Sequence, residues 1–186
     1  MIVGLTGTSM PFERLVRALA AFAARHPDQP VWVQHGHAGR PPGLQGESFT
    51  PRSALLERIA EAEVVVCHAG SGTLFDVLSL GHLPVVVPRR QHLREHVNDH
   101  QLEITEALAL EERIIPVHDV TRLESAIAEA RARRPLVRRP AQSSLLSALA
   151  REIRGLEPKP RSHLIWSALK VLTAWVPVNQ SGMETD

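Results

Sequence analysis

Between residues 64 and 101 the sequence reads VVVCHAGSGTLFDVLSLGHLPVVVPRRQHLREHVNDHQ, and its chemistry starts at His68-Ala-Gly70-Ser71-Gly72-Thr73. The apolar run Val64 to Cys67, ended by this glycine-rich turn, is that of a buried parallel strand. Gly70 and Gly72 are expected to take positive φ and to bring the backbone close to a ligand. From Thr73 to Leu80, Leu74, Val77 and Leu78 fall at helical spacing; Gly81 stops that helix before a second buried strand, Pro84 to Val87. Free N–H groups at the start of such a helix point out of the carboxyl edge of the sheet. An anion there gains roughly 0.3–2 kcal/mol from the helix dipole, with charge-assisted hydrogen bonds in addition. Phosphate fits best, held by backbone and hydroxyl donors of Gly70, Ser71, Gly72 and Thr73.

Other residues able to do chemistry lie nearby. Asn98 and Gln101, three apart on a helix expected from about Val97 to Leu108, would share a face, and their amides both donate and accept. Arg89, His96 and Asp99 lie alongside. His92, His96 and His100 would line one side of a continuous helix, but no cysteine or carboxylate completes a ligand set and the PRRQH stretch reads as a loop, so no metal is expected. Gly7-Thr8, after the first strand, is a second candidate anion loop.

The elements that must position these groups follow from periodicity. Ile2 to Thr6 is a strand; Pro11 opens a helix to about Arg25 with Phe12, Leu15, Leu19 and Phe22 on one face. Val31 to Gln34 is a strand, residues 40–46 a loop, and a short strand is expected around Ser48-Phe49, with Phe49 in the core. Pro51 opens a helix with Leu55, Leu56 and Ile59, and beyond the central unit come a strand, Ile114 to Val117, and a helix from Leu123 to about Arg133. Alternating strands and helices predict a Rossmann-like α/β fold, a parallel sheet with helices on both faces. Right-handed crossovers put loops 7–9, 35–39, 49–52, 68–73 and 88–97 on one edge, where ligands of open α/β sheets bind.

The bulk properties set limits. The chain has 186 residues and a net charge of +1, so a general polyanion partner is not implied. Its single cysteine, Cys67, excludes an internal disulfide and suits a reducing cytoplasm. The N-terminal MIVGLTGTS reads as a strand, not a secretion signal, and no stretch has the length of a membrane span. A nicotinamide fingerprint after the first strand is excluded, because Gly4-Leu-Thr-Gly7 does not fit it. The expected organisation is a binding domain over 1–135, a basic, amphipathic helical extension over 136–178 and a disordered tail over 179–186.

The motifs together go further. HAGSGTLFDVLSLGHLPVVVPRRQHLREHVNDHQ resembles the donor-binding C-terminal domain of family 28 GT-B glycosyltransferases, which include the peptidoglycan lipid II GlcNAc-transferase and the small catalytic subunit of the dolichol-linked GlcNAc transferase. Gly4 to Leu15 (GLTGTSMPFERL), Gln34-His-Gly-His37 and Pro88 to Gln101 are most similar to the PssE-type subunits of bacterial exopolysaccharide glycosyltransferases, often glucuronosyltransferases. Several motifs in the right order over about residues 1–125 make this specific.

The resemblance implies half of an inverting GT-B enzyme that binds a UDP-sugar without metal or cofactor. A membrane-anchored, PssD-like subunit would supply the acceptor half and a polyprenyl-diphosphate-linked saccharide, holding the chain peripherally at the inner face of the plasma membrane. Residues 70–73 would then bind the UDP diphosphate, Gly7 and Thr8 would lie beneath it, and His68, the candidate catalytic residue, would donate to the diphosphate or the sugar. Phe49 and Thr50 belong to the loop whose backbone reads uracil; Asp76 stands where the families usually have Glu gripping the ribose. Asn98 and Gln101 would meet sugar hydroxyls, and Arg89 the phosphates or a glucuronate carboxylate. The general base would come from the acceptor half, with His35 or His37 as possible contributors. For the C-terminal extension, docking onto the partner ranks ahead of packing on its own sheet, and lipid contact third. A non-catalytic UDP-binding or scaffold subunit is the alternative; an epimerase needs both lobes in one chain.

Overall fold

The computed structural model describes residues 1–137. Six strands form one parallel sheet: β1 Ile2–Leu5, β2 Val31–Gln34, β3 Gln45–Glu47, β4 Val64–His68, β5 Val85–Val87 and β6 Ile115–Pro116. Their spatial order is β3-β2-β1-β4-β5-β6. The chain returns through α1 Glu13–Arg25, α2 Arg52–Glu61, α3 Ser71–Ser79, α4 His100–Leu110 and α5 Leu123–Val137. This is the Rossmann-like architecture expected from the alternation, and its strand order reverses between β1 and β4. Among the described residues no helix is long and apolar enough to cross a membrane. Beyond residue 137, the expected helical extension and tail lie outside the described residues.

Successive strand side chains point to opposite faces, so the sheet feeds two cores. Ile2, Val33, Val64, Val66 and Val85 pack with Leu15, Leu19 and Phe22 of α1 and Leu123 and Ile127 of α5. Val3, Leu5, Val65, Cys67 and Val86 pack with Ile59 of α2, Leu74 and Val77 of α3, and Ile104 and Leu108 of α4. Each such aliphatic side chain stabilises the fold by about 1.5–3 kcal/mol on burial. At its C-terminus α3 stops because Gly81, at φ +79°, bends the chain away while its N–H donates to the Leu78 carbonyl at 3.0 Å.

Two expectations are corrected. The edge strand β3 is Gln45–Glu47, ahead of Ser48-Phe49. Its register places Gly46 against Val33, where a Cβ would lie 2.0 Å from the Val33 carbonyl oxygen, so only glycine pairs there. Phe49 consequently falls beyond the strand and is 49% exposed, not core. The helix expected from Val97 instead begins at His100, after a 3₁₀ turn over Gln91–Leu93. Arg94 is left-handed at φ 57°, and the Glu95 and Asp99 carboxylates accept from the backbone N–H groups of Arg90 and Gln91 at 3.0 and 2.8 Å. These local bonds outcompete helix over this stretch.

Candidate functional site

β1 and β4 are hydrogen-bonded neighbours, Leu5 opposite Cys67, so the chain leaves both strands side by side at the point where the sheet reverses. The loop after β1 is Thr6-Gly7-Thr8; that after β4 is Ala69-Gly70, leading straight into α3. The His68 ring lies between them. A Cβ on Gly7 would come within 2.5 Å of His68 Nε2, and one on Gly70 within 2.2 Å. Gly7 also has φ +81°, which reserves the position for glycine. Gly70, by contrast, has φ −79°, and Gly72 is not among the residues of positive φ. The expectation of left-handed backbone there is corrected: Gly70 is needed for the space its missing side chain leaves to His68. Gly72 has nothing within 4 Å of where a Cβ would stand.

α3 starts two residues earlier than its apolar pattern indicates, with Gly70 as N-cap. The Leu74 N–H donates to the Gly70 carbonyl at 2.9 Å and closes the first helical bond, so the amides of Ser71, Gly72 and Thr73 precede it. No side chain caps them. Three uncapped amides, the positive end of the helix and open space over Gly72 form a candidate anion seat at the strand-order reversal. Thr8, exposed, stands on the opposite loop.

The electrostatics under this seat rest on His68 and Arg89. His68 Nδ1 faces the Leu5 carbonyl oxygen at 3.4 Å. Burial, reinforced by the Arg89 charge, pushes its pKa down to about 3, so the ring is neutral at physiological pH. Arg89 is completely buried. Its guanidinium donates to the carbonyls of Thr6 and Met10 at 2.6 Å each, Glu95 at 2.8 Å and Pro11 at 3.4 Å. It also lies 5.0 Å from the Phe12 ring centroid. The expectation that Arg89 meets a phosphate or carboxylate is corrected, because four carbonyls engage it inside the fold.

Gln101 is also buried, its Oε1 accepting from the Arg89 N–H at 3.1 Å. Asn98 precedes α4, so the two amides do not share a helix face as expected. Asn98 is exposed and its Oδ1 faces Nδ1 of both His96 and His100. His92 lies in the 3₁₀ turn, His96 in the loop and His100 at the first residue of α4, not along one helix.

Beside α3 the loop after β3 supplies the other expected contacts. Asp76 pairs with Nη2 of Arg52, the first residue of α2, at 2.5 Å. The Thr50 hydroxyl donates to Glu47 at 2.9 Å, and the exposed Phe49 ring meets His37 edge-on at 5.1 Å. His35 is buried with Nδ1 against the Ala38 carbonyl at 2.7 Å. The structure therefore brings Gly7, His68 and Gly70 together at the start of α3 and links Asp76 of α3 to Arg52 of α2, while Phe49 meets His37 and Thr50 bonds Glu47.

A family model described as the glycosyltransferase family 28 C-terminal domain matches residues 2–151. The chain belongs to this family. Its structure is similar to the glycotransferase of kitacinnamycin, 22% identical over 94% of this chain and 43% of that one, with a TM-score of 0.54, a likeness of fold. The glycosyltransferase SnogD from Streptomyces nogalater is 17% identical over 81% of this chain and 43% of that one, with a TM-score of 0.43. This chain thus covers less than half the length of either protein. No curated protein matches the sequence.

Within this family 28 domain, two residues not singled out by the sequence hold the rim in place. Arg14 donates to both Glu95 oxygens at 2.8 Å and to the Pro88 carbonyl at 2.9 Å, fixing the loop after β5 against the start of α1. The two are 81 positions apart and no spacing rule connects them. The only sequence signal is that each sits inside a motif quoted for other reasons, PFERL and EHVNDHQ.

Proposed function

We propose that the chain is the donor-binding subunit of an inverting GT-B glycosyltransferase that transfers a sugar from a UDP-sugar. The observation that carries this reading is the uncapped start of α3 at the reversal of strand order, in a chain of the family 28 C-terminal domain. The amides of Ser71, Gly72 and Thr73 would hold the diphosphate, and Gly7 and Thr8 would close over it from β1. Negative charge grows on that diphosphate as the glycosidic bond to the donor breaks. Fixed amide donors there stabilise the transition state more than the bound donor, without requiring a metal. His68, neutral and wedged between both loops, sets their spacing. With Nδ1–H toward the Leu5 carbonyl its Nε2 is an acceptor, so it would meet a sugar hydroxyl and not donate to the diphosphate. Phe49 and Thr50 would flank uracil, Asp76 would reach the ribose, and Asn98 would meet the sugar.

The acceptor half would come from another, membrane-anchored subunit carrying a polyprenyl-diphosphate-linked saccharide, in exopolysaccharide synthesis, with glucuronate a candidate sugar. That subunit would hold the general base and place this chain at the inner membrane face. A second reading, a UDP-binding or scaffold subunit without catalysis, is favoured by the internal engagement of Arg89 and Gln101. Calorimetric titration with UDP separates a donor domain from a pure scaffold. Transfer of radiolabelled sugar, assayed with and without the partner, then separates catalysis from binding. Full transfer by the isolated chain would refute the division of labour.

A further inference from the structure

His96 and His100 stand where the loop after β5 runs into α4. Their rings meet nearly edge to face, with centroids 4.6 Å apart and planes at 73°. Asn98 presents its Oδ1 to both: His96 Nδ1 is 3.2 Å away, and His100 Nδ1 is in close contact. A carbonyl oxygen facing two ring nitrogens makes each Nδ1 a donor, so both rings are Nδ1–H tautomers and both Nε2 atoms keep a lone pair. The cluster therefore has two vacant protonation positions. A proton arriving at either Nε2 breaks none of the bonds that hold the rings.

The surrounding groups decide whether such a proton is retained. Arg89, which donates to the Glu95 carbonyl next to His96, stands by the cluster as a fixed buried cation, and His68 at the end of β4 is neutral. The nearest carboxylates are engaged elsewhere: Glu95 by Arg14 and the Arg90 N–H, Asp99 by the Gln91 N–H. Burial first, opposed by the bonds to Asn98 and aided by Arg89, holds His96 below the usual histidine range. Burial and then His96 do the same for His100. The empty cluster is thus neutral at physiological pH, and two rings this close resist a double charge. Arg89 ties the cluster to the anion seat, because its guanidinium holds both the carbonyl of Glu95, the residue before His96, and the carbonyl of Thr6, the residue before Gly7. A doubly charged anion on the seat's amides adds the negative potential that the empty cluster lacks.

We infer that His96, Asn98 and His100 form the proton-accepting wall of the donor site, which takes up a proton from solvent at an imidazole Nε2 when a nucleoside diphosphate binds and returns it when the nucleotide leaves. The inference rests on the donor-site reading above. It makes the wall cationic only while the diphosphate is present, which spares the empty site a further charge beside Arg89. It also adds one positive charge at the group on which negative charge accumulates during transfer.

The test is titration calorimetry of the full chain with UDP at about pH 7.5, in two buffers of different ionisation enthalpy. The terminal phosphate of UDP, with a pKa of about 6, is almost fully ionised there and can only release protons, so net uptake comes from the protein. The expected result is uptake of roughly 0.3–1 proton per UDP, with affinity rising about two- to tenfold per unit fall in pH near neutrality. The H96Q/H100Q double variant loses that uptake, and H96Q and H100Q alone each reduce it, while all three melt as the wild type does. Binding of UDP with no net uptake by the wild type overturns the inference and leaves the donor site standing. So does uptake that persists in the double variant. Absence of UDP binding overturns both.

Discussion

Arg89 Nη2 donates to the Thr6 carbonyl at 2.6 Å, joining the end of β5 to the end of β1 across the intervening β4. The same guanidinium holds Met10, Pro11 and Glu95. One buried side chain thus fixes the loop beneath the anion seat and the loop that carries His96.

Arg89→Leu should therefore destabilise the fold by about 3–5 kcal/mol, since it leaves several buried carbonyls without donors. Arg89→Lys should recover only part, because a single ammonium cannot span the planar fan of acceptors. Urea unfolding of the three proteins checks this. A loss below about 1 kcal/mol in the leucine variant would show the clamp to be dispensable.

The two glycines of the central turn should respond with opposite signs. Gly70→Ala drives a methyl to 2.2 Å from His68 Nε2 and should lower stability by roughly 1–3 kcal/mol while weakening UDP binding. Gly72→Ala meets nothing within 4 Å and, lying in the first turn of α3, should fold as well as the wild type or up to about 1 kcal/mol better. Thermal melts decide, and an equally harmful Gly72→Ala would mean that the turn is packed differently.

Acid should loosen the fold through His68. Its native pKa of about 3 lies below the ordinary histidine value, so the unfolded chain binds the proton first. Stability is fully retained above about pH 6.5 and falls as pH drops toward 3, by up to roughly 1.4 kcal/mol per unit. His68→Asn, which keeps a donor near the Leu5 carbonyl but cannot titrate, should flatten that slope in urea midpoints taken between pH 7.5 and 5. An unchanged slope would assign the acid sensitivity elsewhere.

Asp76 offers a narrower test of the nucleotide pose. If its carboxylate turns from Arg52 to the ribose, Asp76→Ala should weaken UDP about tenfold or more, the loss expected for a charged hydrogen bond. The same variant should no longer distinguish UDP from 2′-deoxy-UDP. Retained discrimination in calorimetry would leave Asp76 as the partner of Arg52 alone.

The parts of the fold legible in the sequence were those written as apolar runs and helical stripes. Val31–Gln34 is the strand its residues predict, and Leu15, Leu19 and Phe22 mark the buried face of α1. β3 escaped because Gln45-Gly46-Glu47 carries no apolar alternation; it is a strand only because Val33 pairs with it. The delayed start of α4 escaped because no proline or glycine announces it. Side-chain bonds from Glu95 and Asp99 to nearby amides decide it, and periodicity is blind to those. At the candidate site, His68 was singled out through the family resemblance, while the strand–turn–helix order around Gly70 could be read from spacing. The burial of Arg89 could not, since its acceptors are main-chain oxygens whose convergence exists only after folding.

Cys67, in the core on β4 directly before His68, has its thiol pushed up to about 12 by burial. Thiolate is the reactive form, so maleimide should ignore the intact protein and modify it only when β4 becomes accessible. As the sequence has no other cysteine, alkylation kinetics become a stopwatch on that single opening event. Occupancy of the neighbouring rim by nucleotide should slow the clock.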